Sequence, residues 1–285
     1  MEGSVNPDVA RVGSNELRRG MARHQVILTF FISFLVFSAW IVESVQPQEI
    51  GTKEQIIAKF SGRVPREWGE VVKGVRTRLM TDQRVLALTF DACGGLKGSG
   101  YDATVIDFLT RDAIPATLFI SGKWIDANPD LLQALSRNAL FEIENHGLKH
   151  KPCSAIGRSA HGKKGTKNVG EIFDEIELNA LRIQSITGHR PKYYRPGTAY
   201  CDDVCVEIAN ALGYEAVNFS VRGDAGATYS KQQVEETLLH APPASIVLMH
   251  MNHPESQTAV GVIEAVPELR KRGFRFVKVS DFALK

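Results

Sequence analysis

From Val85 to the C-terminus, short β-branched and apolar runs alternate with stretches of helical period, each bounded by Gly, Pro, Asn or Asp. The apolar runs predict strands at Val85–Phe90, Ala116–Ile120, Leu140–Glu144, Tyr193–Arg195, Ala216–Val221, Ile246–His250 and Phe274–Val279. The stretches of helical period predict helices at Asp102–Arg111, Pro129–Arg137, Val169–Ile186, Asp202–Leu212, Lys231–Leu239 and Val260–Arg272. Gly213 and Gly273 stand just past two of these helices, where a left-handed residue ends a helix. Strands alternating with helices predict an α/β domain on a mainly parallel sheet.

The N-terminal part has a different pattern. Val26 to Val42 is uncharged and almost wholly apolar, and it follows Arg11, Arg18, Arg19 and Arg23. At about 17 residues it is at the lower limit for crossing a ~30 Å hydrocarbon core, yet longer than most signal-peptide apolar regions. The basic flank predicts residues 1–25 on the cytoplasmic side and everything after Glu43 across the membrane. Four segments are expected: a cytoplasmic basic tail (1–25), a membrane anchor or signal segment (26–42), a membrane-proximal spacer (43–82) and a catalytic domain (83–285). The spacer is polar and mixed in charge, with a short amphipathic stretch from Arg66 to Leu79. An uncleaved anchor would hold the domain on the extracytoplasmic face; cleavage would release it as a secreted or periplasmic protein. Either fate puts Cys93, Cys153, Cys201 and Cys205 in an oxidising compartment, with three ways to form two bridges.

Composition narrows the function classes. A chain of 285 residues that is 44% hydrophobic buries a full core, which excludes disorder as its main state. The formal charge of +2, without a dense Lys/Arg run, gives no support to nucleic acid as a partner.

The chemistry-bearing residues gather at predicted strand ends. Asp91 follows the first strand and His146 the third, Arg195 ends the fourth, Asp224 lies beyond the fifth, His250 ends the sixth and Asp281 follows the seventh. Parallel barrels open all C-terminal strand ends onto one face, where their active sites assemble. A carboxylate such as Asp91, emerging from a buried strand, needs a partner. Arg195 can supply a bidentate guanidinium. His146 and His150 form a His-x-x-x-His pair whose imidazoles can converge on a divalent metal such as zinc. His250 leaves an apolar strand at the same mouth, where a protonated imidazole could serve as general acid.

This set of motifs resembles the polysaccharide deacetylase family, the nodulation-type chitooligosaccharide deacetylase homology domain, over roughly Val85 to Asp281. Thr89-Phe90-Asp91-Ala92-Cys93 resembles its Thr-Phe-Asp-Asp-Gly motif, and His146/His150 its metal motif. Arg195-Pro196-Gly197-Thr198 resembles its Arg-Pro-Pro-Tyr motif, Asp224 its later Asp, and Leu248-Met249-His250 its Leu-x-His motif. The resemblance implies a distorted (β/α) barrel of about seven parallel strands and a zinc or similar divalent ion. It implies a hydrolase that removes N-acetyl groups from a cell-wall or chitin-like glycan. Asp91 would be the base tuned by Arg195, and His250 the acid oriented by Asp224. The Thr198 backbone would help to hold the oxyanion. Two departures stand out: Ala92 replaces the usual third metal ligand, and Gly197-Thr198 replaces Pro-Tyr. They keep two alternatives open, a metal-independent amidohydrolase of the same fold and a lapsed enzyme that binds glycan without cutting it.

Overall fold

A computed structural model describes residues 51–285. The expected anchor or signal at 26–42 lies outside the described residues, and among these no helix is long and apolar enough to cross a membrane. One sheet organises the described part. Its strands are β1 (Val85–Ala92), β2 (Ala116–Ile120), β3 (Phe141–Asn145), β4 (Tyr193–Tyr194), β5 (Glu215–Ala216), β6 (Val221–Arg222), β7 (Ser245–His250) and β8 (Arg275–Val277). Their order is β6-β7-β1-β2-β3-β4-β5, with β8 pairing beside the first residues of β1, and every pair is parallel.

The single strand expected at Ala216–Val221 is instead two short ones, because this segment passes from one edge of the sheet to the other. Val217 N–H donates to the Tyr194 carbonyl on one edge, and Ser220 N–H donates to the Ile246 carbonyl on the other. The sheet is thereby curled into an incomplete barrel.

Strand alternation assigns each residue of β1 a side. Leu86, Leu88, Phe90 and Ala92 face outward into the core shared with helices Ala103–Arg111, Pro129–Ser136, Lys231–Leu239 and Thr258–Lys271. The odd positions face inward. Val85 and Ala87 join Phe119, Tyr193, Ile246, Val277 and Leu79 in an apolar layer at the base of the barrel. Thr89 and then Asp91 lie above that layer, nearer the mouth. In β7 the inward residues are Ile246, Leu248 and His250, in direct register with Ala87, Thr89 and Asp91. The parallel pairing therefore sets Asp91 and His250 side by side on neighbouring strands, about 4.8 Å apart along the hydrogen-bonding direction.

The helices follow the pattern with two additions, Lys53–Phe60 and Gly122–Ala127. The long helix expected at Val169–Ile186 is present but contains a π-helical segment, Asp174–Leu178. Gly213 and Gly273 both take positive φ at helix ends, as their positions predicted.

Residues 51–82 are not a free spacer. Lys53–Phe60 is a capped helix that buries Ile56 and Phe60 against Ile172 and Val204. Trp68–Gly69 pairs antiparallel with Cys201–Asp202, and Leu79 is fully buried opposite Leu284. No helix forms over Arg66–Leu79, because this stretch is used for edge pairing along the domain. Of the two bridges that four cysteines could form, the structure contains one, Cys153–Cys205, and leaves Cys93 and Cys201 free.

A chain of residues 46–285 is expected to melt cooperatively. A chain starting at 83 leaves the sites of Ile56, Phe60 and Leu79 empty, at a cost of about 5 kcal/mol or more. Urea unfolding of the two proteins checks this, and equal midpoints would contradict it.

Candidate active site

At the C-terminal end of the sheet lies a cavity of about 420 Å³, lined by Asp91, Cys93, His146, His150, Thr198 and His250 among others. Six of the seven residues singled out from the sequence as catalytic, oxyanion-holding or metal-binding meet at this cavity or directly beneath it. The seventh, Asp224, touches it through His250. Asp281 does not join them: it is exposed and accepts the Lys278 backbone N–H at a distant turn.

Arg195 is fully buried beneath the cavity floor. Its Nη1 donates to Asp91 Oδ1 at 2.6 Å and to the Thr89 hydroxyl at 3.0 Å. Its Nε and Nη2 donate to the carbonyls of Val217 and Asn218, at 3.3 and 3.1 Å, and the guanidinium lies 3.9 Å from the Phe119 ring centroid. The bidentate pairing expected from the sequence is therefore a single bond, because the remaining donors hold the segment that joins the two sheet edges. Burial pushes the guanidinium pKa down, and the Asp91 charge pulls it back up. The second carboxylate oxygen of Asp91 faces His146 Nε2 at 3.3 Å.

His146 is held in a fixed orientation. Its Nδ1 lies 2.9 Å from the Arg195 carbonyl, so as the donor Nδ1 leaves Nε2 turned to the cavity. The loop from His146 to Lys151 is held from below by residues that sequence reasoning missed. Glu175, in the π-helical segment, accepts the N–H groups of Lys149 and Lys151, while Asn145 accepts that of Gly147 and is itself held by Asn179. Burial raises the Glu175 pKa despite these donors. In sequence Glu175 looks like one more acidic residue on a helix, and nothing marks it as buried.

His150 has φ of 55° and packs its ring edge-on to His146, centroids 4.7 Å apart. Opposite it, Thr198 also takes a left-handed conformation, φ 68°, uncommon for a β-branched residue and of a kind that concentrates at functional sites. Gly197 is required between them. A Cβ there would meet the His150 carbonyl carbon at 2.3 Å, so the second Pro of the Arg-Pro-Pro-Tyr motif that this segment resembles does not fit this packing.

His250 Nδ1 pairs with Asp224 Oδ1 at 2.9 Å, and its backbone N–H donates to Oδ2 at 2.7 Å. Thr258 and the Gly226 N–H also donate to this carboxylate. Burial disfavours the imidazolium, but the Asp224 charge and hydrogen bond outweigh it, so the His250 pKa sits well above its ordinary value. Asp224 is correspondingly lowered against its own burial by the His250 charge.

Cys93 Sγ lies 3.8 Å from His146 Nε2, and one donor atom each from Cys93, His146 and His150 lies within 4.8 Å of the others. Two imidazoles and a sulfur are a donor set that suits a borderline divalent ion such as zinc. Burial pushes the Cys93 thiol pKa up. The charge of His150 and the hydrogen bonds from His146, His150 and His250 more than reverse this, holding it well below the ordinary range.

Other walls come from unexpected places. Glu70, in the segment expected to be a spacer, lines the cavity and pairs with Arg222 at 2.6 Å. Lys163, on the small hairpin formed by Ser159–Ala160 and Lys163–Lys164, donates to His150 Nδ1 at 3.0 Å.

The polysaccharide deacetylase family model matches residues 78–217. Peptidoglycan-N-acetylglucosamine deacetylase of Bacillus cereus is 28% identical over 209 residues, covering 70% of this chain and 88% of that protein. Peptidoglycan-N-acetylmuramic acid deacetylase PdaA of Bacillus subtilis is 25% identical, with 70% and 72% covered. The structure of B. subtilis PdaA, a family 4 carbohydrate esterase, matches with a TM-score of 0.61 at 23% identity, covering 83% of this chain and 91% of that one. A family 4 pseudoenzyme from Bacillus anthracis shares the fold with a TM-score of 0.61 at 20% identity, covering 72% and 67%. The chain belongs to the polysaccharide deacetylase family, a family of hydrolases.

Arg195→Met leaves the Asp91 carboxylate buried without its guanidinium, and it is expected to destabilise the fold by about 3–5 kcal/mol. Adding Asp91→Asn is expected to recover part of that loss. Denaturant melts of the two single variants and the double variant measure the coupling; strictly additive losses would show that the pair acts independently.

Proposed function

We propose that this polysaccharide deacetylase family member hydrolyses the N-acetyl groups of a cell-wall glycan, with Asp91 as base and His250 as acid. The observation that carries this reading is the cross-strand placement of Asp91 and His250 in one cavity, each held by its own buried partner. The named relatives act on N-acetylglucosamine or N-acetylmuramic acid of peptidoglycan, which supports the substrate class.

His146 and His150 would hold a zinc or similar divalent ion, which when bound supplies Lewis-acid polarisation of the acetamide carbonyl. Asp91 takes a proton from the attacking water, whose oxygen bonds to the carbonyl carbon. Arg195 fixes the Asp91 carboxylate by its one short bond and, through Val217 and Asn218, the wall beside it. The backbone N–H of Thr198 is the protein donor assigned to the oxyanion, on a wall set by Gly197 against His150. His250, protonated through its bond to Asp224, gives its proton to the amine nitrogen as the C–N bond breaks. Acetate and a free sugar amine leave. On this reading residues 26–42 deliver the domain to the extracytoplasmic side, where such a glycan lies, either as a membrane anchor or as a cleaved signal.

The test is incubation of the protein with acetylated glycan panels, with and without chelator, measuring acetate. Release from peptidoglycan or chitin-like strands that chelator suppresses supports the reading. Release that survives chelation favours the metal-independent amidohydrolase, and no release from any glycan removes the proposal. Asp91→Asn, which keeps an oxygen acceptor for Arg195, and His250→Ala are each expected to slow turnover by at least about 10²-fold, with thermal melts checking that both variants fold.

The raised His250 pKa predicts a pH dependence. The acid works only while protonated, so activity extends to higher pH than an ordinary histidine would allow and falls as pH rises through the raised His250 pKa. Asp224→Asn removes the charge that raises this pKa, so the alkaline limb of kcat against pH is expected to move to lower pH. An unmoved limb would take His250 out of the acid role.

A further inference from the structure

We propose that Cys93 completes a thiolate–imidazole site for a borderline divalent ion with His146 and His150, and that the Lys163 ammonium must be displaced for the ion to bind. The proposal concerns the same cavity as the deacetylase reading and deepens it.

The argument begins with strand register. Along β1 the side chains of Phe90 and Ala92 point outward into the helix-covered core, and Ala92 is fully buried there. Asp91 points inward, and the next inward position is Cys93, not residue 92. The strand ends at this point. Gly94 follows with φ of 72°, and a Cβ there would sit 2.3 Å from the Trp124 backbone nitrogen, so the turn is pressed against the helix Gly122–Ala127. The Ser121 hydroxyl donates to the Cys93 carbonyl at 2.6 Å. Both contacts fix the backbone of Cys93 and keep its sulfur beside the histidine rings.

The distances suit an ion. With Zn–S near 2.3 Å and Zn–N near 2.05 Å, a tetrahedral angle separates sulfur and nitrogen by about 3.6 Å. The observed separation of Cys93 Sγ and His146 Nε2 is 3.8 Å. Through its contact with the Arg195 carbonyl, His146 offers Nε2 to the ion without reorientation. A thiolate carries the same single negative charge as the carboxylate that Ala92 displaces. It exchanges a hard oxygen for a soft sulfur, which shifts preference toward zinc and cobalt and away from magnesium, calcium and manganese.

Lys163 opposes this site. Its ammonium donates to His150 Nδ1 at 3.0 Å, so in that arrangement Nδ1 is an acceptor. If the ion takes Nδ1, the ammonium is in its place. If the ion takes Nε2, the neutral ring carries its proton on Nδ1 and no longer accepts from Lys163. On either geometry Lys163 must leave, and its exposed position on a two-residue hairpin makes that movement cheap.

Cobalt tests both halves. The full-length chain, reduced and stripped with chelator, is titrated with Co²⁺ and then with Zn²⁺. One Co²⁺ per chain is expected, with a near-ultraviolet sulfur-to-cobalt charge-transfer band that Zn²⁺ abolishes. Cys93→Ser and Cys93→Ala should each lose the band and weaken binding by more than the roughly 10–100-fold typical of outer-shell changes. Thermal melts check that the variants fold. Lys163→Met should bind several-fold tighter with the same band. A parent protein without the band, or Cys93 variants that keep its affinity, would overturn the cysteine site; unchanged affinity in Lys163→Met would overturn the displacement. Acetate is not measured, so a chain that binds Co²⁺ in this way but releases no acetate would remove the deacetylase reading and leave the metal site standing.

Discussion

The buried ion pair between Arg195 and Asp91 is the contact on which the rest of the site depends. A guanidinium with no solvent access is tolerable only when its donors are satisfied, and here they are shared among a carboxylate, a hydroxyl and two carbonyls. Those partners belong to β1 and to the segment that joins the two edges of the sheet. One side chain thus closes the barrel and sets the position of the carboxylate at its mouth. The Arg195 carbonyl then orients His146, so the same residue aligns the candidate base and the candidate metal ligand.

A second cluster, Asp224, His250 and Thr258, gathers around the end of the neighbouring strand β7 and is set beside the first by the register of β7 on β1. The two carboxylates have different environments. Asp91 is shared between a guanidinium and an imidazole, whereas Asp224 is committed to His250 and to backbone donors. This division keeps one carboxylate at the cavity wall and leaves the other to orient and charge a histidine, the asymmetry that separate base and acid roles require.

Much of this was legible in the sequence because a strand end is a local feature. Apolar runs ending in Asp91, Arg195 and His250 declare both the strand and the face, and the His-x-x-x-His spacing declares a pair. What escaped detection was non-local. Glu175 supports the histidine loop from a helix whose polar pattern resembles an ordinary solvent face. The segment 51–82 reads as a spacer because its burial comes from pairing with Asp202, Val217 and Leu284, far away in the chain. The run Ala216–Val221 has the composition of one strand, and only barrel closure divides it. Ala92 reads as a missing ligand until register shows that its side chain belongs to the core and that Cys93 holds the inward position.

The central claim is that one cavity breaks the acetamide C–N bond, with Asp91 activating the water. Counting both products tests it most directly: acetate and free hexosamine amine released from purified peptidoglycan strands by the full-length chain and by Asp91→Asn. The account predicts equal amounts of the two products from the parent and neither above background from the variant. Acetate without new amine, which would mean cleavage of an O-acetyl ester, or undiminished release by Asp91→Asn, would contradict it.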